Sequence, residues 1–192
     1  MDECEIHLAA RAYETVNNQD FHITLSKGYE FILSFSSANF KHLTGVQYLV
    51  DTIYAKMPAN QVFQRILNGE ITDDKLRRSR HYEKHCRERI FDLKHMPGIL
   101  TKNAKAIFPF DKSKAGSSIK ASIILYQEDQ RHTFLTLGCK EAEGQDTIGK
   151  AIPFVPETFF TAAGDQYIKG QERARVIDIV VVPYDGHHAN RG

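Results

Sequence analysis

Between Glu157 and Gln171 the chain reads Glu-Thr-Phe-Phe, a six-residue Thr-Ala-Ala-Gly-Asp-Gln break, then Tyr-Ile-Lys-Gly-Gln. A carboxylate beside a hydroxyl, followed by paired aromatics and a lysine against glycine, is an unusual way to write a plain strand and turn. Four more residues belong with it and its Lys169: His42, Arg89, Lys120 and Ser122. As a set they hold what cleavage of RNA without a metal requires. One group takes the proton from the 2'-hydroxyl, a second donates to the leaving 5'-oxygen, and cations stabilise the charge on the phosphorane. Singly, each has an ordinary explanation. His42 between apolar neighbours fits a half-buried histidine with satisfied hydrogen bonds, and Lys120 fits a solvent lysine. Strand alternation sends Glu157 and Phe159 to one face and Thr158 and Phe160 to the other. Glu157 and Thr158 can therefore share a cleft only if a bulge or a strand end breaks the alternation.

Other chemistries are poorly supported. His81 and His85 stand four apart on a helical pattern, but Tyr82 occupies the place where a zincin needs glutamate, so a solvated helix face is the better account and no metal is expected. No glycine-rich nucleotide loop and no Gly-x-Ser-x-Gly elbow is present, and Cys139 has no positioned base nearby. The expectation is an enzyme without a cofactor.

The elements that must carry these residues follow from periodicity. Ile6, Ala9, Ala10, Tyr13 and Val16 predict an opening amphipathic helix. Residues 21–26 and 29–35 alternate and are joined by Lys27-Gly28, a two-residue link typical of a tight hairpin. Ser36 or Ser37 can cap the short helix that holds His42. A further helix is expected over 58–68. Thr72 then caps a long helix to about His95, with a stripe of Leu76, Tyr82, Cys86, Ile90 and Leu93, on which Arg89 must snorkel out or serve a groove. Beyond Pro97 the pattern changes to strands at 104–110, 118–126, 131–137 and 173–182. The last is apolar on both faces from Val176 apart from Asp178, which places it inside a sheet. Residues 140–149 read as a polar loop and 187–192 as a tail.

A chain of 192 residues can bury a core as one domain, with 1–98 a mainly helical lead-in containing the hairpin at 21–35, 99–185 the sheet with the active site, and 186–192 the tail. No apolar run approaches the ~20 residues of a membrane span. Three widely spaced cysteines and an acidic start point to a reducing cytoplasm rather than a disulfide framework or a secreted protein. The net charge of +1 excludes nucleic-acid binding by bulk electrostatics alone, although the basic residues cluster over 75–94 and 102–120, enough to line a groove.

The segments 39–46 (Asn-Phe-Lys-His-Leu-Thr-Gly-Val), 66–71 (Ile-Leu-Asn-Gly-Glu-Ile), 87–90 (Arg-Glu-Arg-Ile), 118–122 (Ser-Ile-Lys-Ala-Ser), 157–160 and 167–171 resemble, in order and spacing, a phage-associated branch of the barnase, EndoU, colicin and RelE-like nucleases. Residues 1–20 lie outside the strongest part of the match, as a local addition would. The resemblance implies an α+β fold, with a helical lead-in followed by a twisted antiparallel sheet whose concave face holds the active site. It also implies a metal-independent ribonuclease of prophages or mobile elements, toxin-like, with an immunity or antitoxin protein as a partner. Carried over by position, the catalytic residues would be His42, Arg89, Lys120, Glu157 and Thr158, and the substrate-binding residues Ser122, Tyr167 and Lys169. The alternative is a catalytically inactive module that holds RNA or a protein in the same groove.

Overall fold

The structure is a computed structural model that describes residues 4–116, 119, 121–128, 132–139 and 152–184. Lys120, the 140–149 loop and the 187–192 tail lie outside the described residues. Helix α1 (Glu5–Glu14) buries Ile6, Ala9, Ala10 and Tyr13, the stripe expected from the sequence. The Tyr13 ring meets Phe35, Phe40 and Phe63 edge-on or nearly so, and its hydroxyl donates to the Ser36 carbonyl at 2.8 Å, so the one polar atom of a fully buried ring is satisfied. Strands β1 (Gln19–Leu25) and β2 (Glu30–Phe35) form the hairpin, turning through Lys27 and Gly28 at φ 81° and 80°, the positive values that such a turn demands.

Helix α2 (Ser37–Thr44) follows, with Ser36 at its N-cap. The Asn39 side-chain oxygen accepts from both the amide and the hydroxyl of Ser36. A 3-10 turn (Val46–Tyr48), α3 (Ile53–Lys56) and α4 (Ala59–Leu67) come next.

The long helix expected over 72–95 is instead three short ones: α5 (Asp73–Leu76), α6 (Tyr82–His85) and α7 (Arg87–Leu93). The break has a tertiary cause. The Asp51 carboxylate accepts from the Ser79 hydroxyl and, at 3.1 Å, from the Arg80 amide, holding that segment out of helix. The apolar stripe survives because Leu76, Tyr82, Cys86, Ile90 and Leu93 all still face the core.

The remaining strands are β3 (Lys105–Ile107), β4 (Ile123–Gln127), β5 (His132–Cys139), β6 (Ile152–Ala162) and β7 (Arg173–Pro183). The seven described strands close into a ring in the order β1-β2-β6-β5-β4-β3-β7, so the architecture is α+β, with the hairpin built into the sheet. All pairings are antiparallel except β2 with β6, which run parallel from Phe31↔Ile152 to Leu33↔Phe154. One face of the sheet and the helices share the main core. A smaller core of Ile107, Phe110, Ile124, Tyr126, Phe134 and Ile168 lies against the other face. Strand β7 is paired on both edges, as its composition suggested, yet Ile177, Val180 and Val181 are exposed: ring closure satisfies both edges without a covering layer on both faces. No described helix is long and apolar enough to cross a membrane.

Candidate active site

His42 sits in the last turn of α2, and Gly45 decides what lies next to it. Gly45 ends the helix at φ 77°, and a Cβ there would stand 2.2 Å from the His85 carbonyl oxygen and 3.2 Å from Arg89 Cδ. Only glycine lets α2 approach α6 and α7 so closely. The approach puts Arg89 beside His42: its Nη1 donates to the His42 carbonyl at 3.4 Å, and its guanidinium carbon lies 5.8 Å from the Tyr48 ring centroid. Lys41, the neighbour of His42, is committed elsewhere, donating to the Ala55 and Met57 carbonyls at 2.7 and 2.6 Å. Cys86 is 1% exposed and burial pushes its thiol up to about 12, so it packs rather than reacts.

The other half of the site comes from β6. Thr136 pairs with Thr158 but Leu137 pairs with Pro156, so Glu157 is the extra residue of a bulge. This is the break in alternation that Glu157 and Thr158 needed to share a face. Gly138 makes room for it. A Cβ on Gly138 would stand 2.4 Å from Glu157 Oε1 and 2.8 Å from Cγ, so the carboxylate lies across the place where a side chain would project. Thr136 and Gly138 point to one face of β5 by alternation, and Thr136 is 1% exposed with its hydroxyl donating to the Thr158 carbonyl at 3.3 Å. From this position Glu157 Oε2 lies 3.7 Å from His42 Nε2, with both side chains 43% exposed.

The far side of the His42 ring is held by Gln47, whose Nε2 lies 2.9 Å from Nδ1 and donates to the His42 carbonyl at 3.4 Å. An amide nitrogen in that place leaves Nε2 as the ring nitrogen that faces Glu157. Gln47 Oε1 is buried without a hydrogen-bond partner among the described residues. Helix α7 is tied to β6 by Asp92, which accepts from the Thr161 amide at 3.0 Å; burial raises its carboxyl above the usual range, against the lowering effect of that bond.

His42 and Glu157 are therefore brought together, with Arg89 at the His42 carbonyl and Thr158 next to Glu157 at the bulge, and Lys120 lies outside the described residues. The Ser122 amide donates to the Leu137 carbonyl at 3.0 Å, one residue from the Gly138 position over which Glu157 lies. Tyr167 packs on Phe134 and Phe160 at 5.3 and 5.2 Å in the smaller core, and Lys169 lines an open groove with His132, Asp165 and Arg173. His81 and His85 have ring centroids 6.3 Å apart, with His81 Nε2 accepting from Arg80 Nε and His85 tilted on Tyr48. Sequence reasoning missed Gln47, Thr136 and Gly138. Of these only Gly138 carried a signal, since a glycine inside a strand pattern marks a close approach.

Comparison with curated proteins and with solved structures gives no match. A family model does match, from the first residue of α1 into β7, so the opening helix is part of the shared architecture and not a local addition. It is described as phage-Barnase-EndoU-ColicinE5/D-RelE like nuclease4 and matches residues 5–181, and the chain belongs to that nuclease family.

Proposed function

We propose that the protein is a metal-independent endoribonuclease that cleaves RNA by attack of the 2'-hydroxyl on the adjacent phosphorus. The observation that carries this is the His42–Glu157 pair at 3.7 Å, two groups able to move protons, held by a bulge, a glycine and a glutamine. Glu157 takes the 2'-hydroxyl proton as the 2'-oxygen–phosphorus bond forms. His42, in its imidazolium form, gives a proton to the 5'-oxygen as the phosphorus–5'-oxygen bond breaks, leaving a 2',3'-cyclic phosphate and a 5'-hydroxyl. The attacking and leaving oxygens lie on opposite sides of phosphorus, so an entering phosphate parts the two side chains, which are exposed enough to turn. As an imidazolium, His42 must donate from Nδ1 as well, and rotation of the Gln47 amide presents its oxygen to that hydrogen. Arg89 clamps a phosphate oxygen, Lys120 supplies the second cation, and the Thr158 hydroxyl donates to a non-bridging oxygen. Ser122, Tyr167 and Lys169 contact the substrate further along its path.

The setting we propose is a cytoplasmic enzyme of a prophage or mobile element, in keeping with the word phage in the family's description, with an immunity or antitoxin protein to mask it. The test is incubation of the purified protein with total RNA in excess EDTA. Cleavage to ends carrying cyclic phosphate supports the proposal. Intact RNA that is nevertheless retained on a filter overturns it in favour of an inactive binding module.

A further inference from the structure

Beside His42 the surface carries a feature that the proton-transfer chemistry does not use. Tyr48 ends the 3-10 turn directly after Gly45, and the residue is 39% exposed where the other aromatics of this region, Phe40 and Phe63, are fully buried. The His85 ring lies 5.1 Å from it at 32°, a partial stack, and Arg89 flanks it while also holding the His42 carbonyl. Packed against the same turn, α3 exposes Ile53, and Val50 on the connecting segment is exposed too. Desolvation first, then the positive charges of Lys84, His81 and Arg89, hold His85 below the ordinary imidazole range. Two flat rings in a positive field, sharing one arginine with the reactive histidine, suit a base whose phosphate is clamped nearby. Aromatic and arginine planes are what single-stranded RNA uses when its bases are splayed out.

We propose that Tyr48 and His85 form a stacking subsite for an unpaired nucleobase next to the scissile phosphate, making single-stranded RNA the substrate class. The inference rests on the ribonuclease assignment of the His42–Glu157 centre. Stacking does not discriminate strongly among bases, so the subsite selects for unpaired RNA over duplex more than for a sequence.

A short oligonucleotide with a 2'-deoxy backbone cannot be cleaved by 2'-hydroxyl attack, so it isolates binding; it carries 2-aminopurine at each position in turn. The parent protein should quench the fluorescence at one position. Tyr48→Ala and Tyr48→Leu, the latter keeping apolar bulk, should abolish that quenching and weaken binding about 5- to 150-fold, the equivalent of ~1–3 kcal/mol per stacked base. Tyr48→Phe should retain both. The proposal is overturned if the parent neither binds nor quenches, or if Tyr48→Leu, folded by melting, quenches as the parent does. The two assignments fail separately. Tyr48-dependent quenching by a protein that cleaves no RNA leaves the subsite and removes the ribonuclease, whereas cleavage of RNA with Tyr48-independent quenching does the reverse.

Discussion

Replacing Gly138 by alanine places one methyl group where Glu157 now lies. The new Cβ would stand 2.4 Å from Oε1, 2.8 Å from Cγ and 2.9 Å from Cδ, so no small adjustment suffices and the carboxylate must swing to another rotamer, away from His42. The fold should tolerate this. Gly138 has no positive φ, and the obstructing atoms belong to a half-exposed side chain rather than to backbone. A gain of about 0.4–1 kcal/mol from restricting the unfolded chain is offset by roughly 0.5–1.5 kcal/mol if Glu157 is forced off its rotamer, so melting should move little. Activity should move greatly. A displaced proton-transfer group costs roughly 10²- to 10⁴-fold in rate, and Glu157→Gln should cost a similar factor. Because both changes disable the same group, the double variant should be scarcely worse than either single one. The assay is cleavage of a fluorogenic single-stranded RNA in EDTA, with circular dichroism melting run alongside. A folded Gly138→Ala protein that cleaves at the parental rate would show that the carboxylate is not needed where the bulge holds it.

His42→Ala should lower the cleavage rate by roughly 10²- to 10⁴-fold with RNA affinity nearly unchanged, whereas Arg89→Ala should weaken both, as steady-state kinetics and filter binding can separate. A His42→Ala protein that melts well below the parent, and whose folded fraction cleaves normally, would return His42 to a purely structural role. Gly45→Ala adds a clash with the His85 carbonyl to a left-handed backbone and should destabilise by about 2–4 kcal/mol in urea unfolding; melting with the parent would contradict the close approach of α2 to α6. Gln47→Leu removes a buried unpartnered oxygen along with the support of Nδ1, so it should leave melting unchanged or raise it while lowering kcat more than it alters KM.

Local features were legible in the sequence. The α1 stripe and the Lys27-Gly28 turn depend on periodicity and on positive φ, both written within a few residues. The break between α5 and α6 was not, because the Asp51 carboxylate that captures Ser79 and Arg80 comes from a distant stretch while the apolar spacing continues across the gap. The parallel pairing of β2 with β6 joins residues more than a hundred positions apart and leaves no local trace. The candidate site was half legible. His42, Arg89, Glu157 and Thr158 stood out as residue types, and alternation required a bulge if the last two were to share a face. Where that bulge falls is set by the partner strand, and Gly138 accommodates the displaced carboxylate.

The central claim is that the reaction uses the substrate's own 2'-hydroxyl, and one substrate tests it directly: a DNA oligonucleotide with a single ribonucleotide, incubated with the protein in excess EDTA and read by mass spectrometry. The account predicts a single cut on the 3' side of that ribose, giving one fragment with a 2',3'-cyclic phosphate, lighter by one water than the linear phosphate, and another with a 5'-hydroxyl. Cutting at deoxyriboses, or a cut at the ribose that survives 2'-O-methylation, would contradict it.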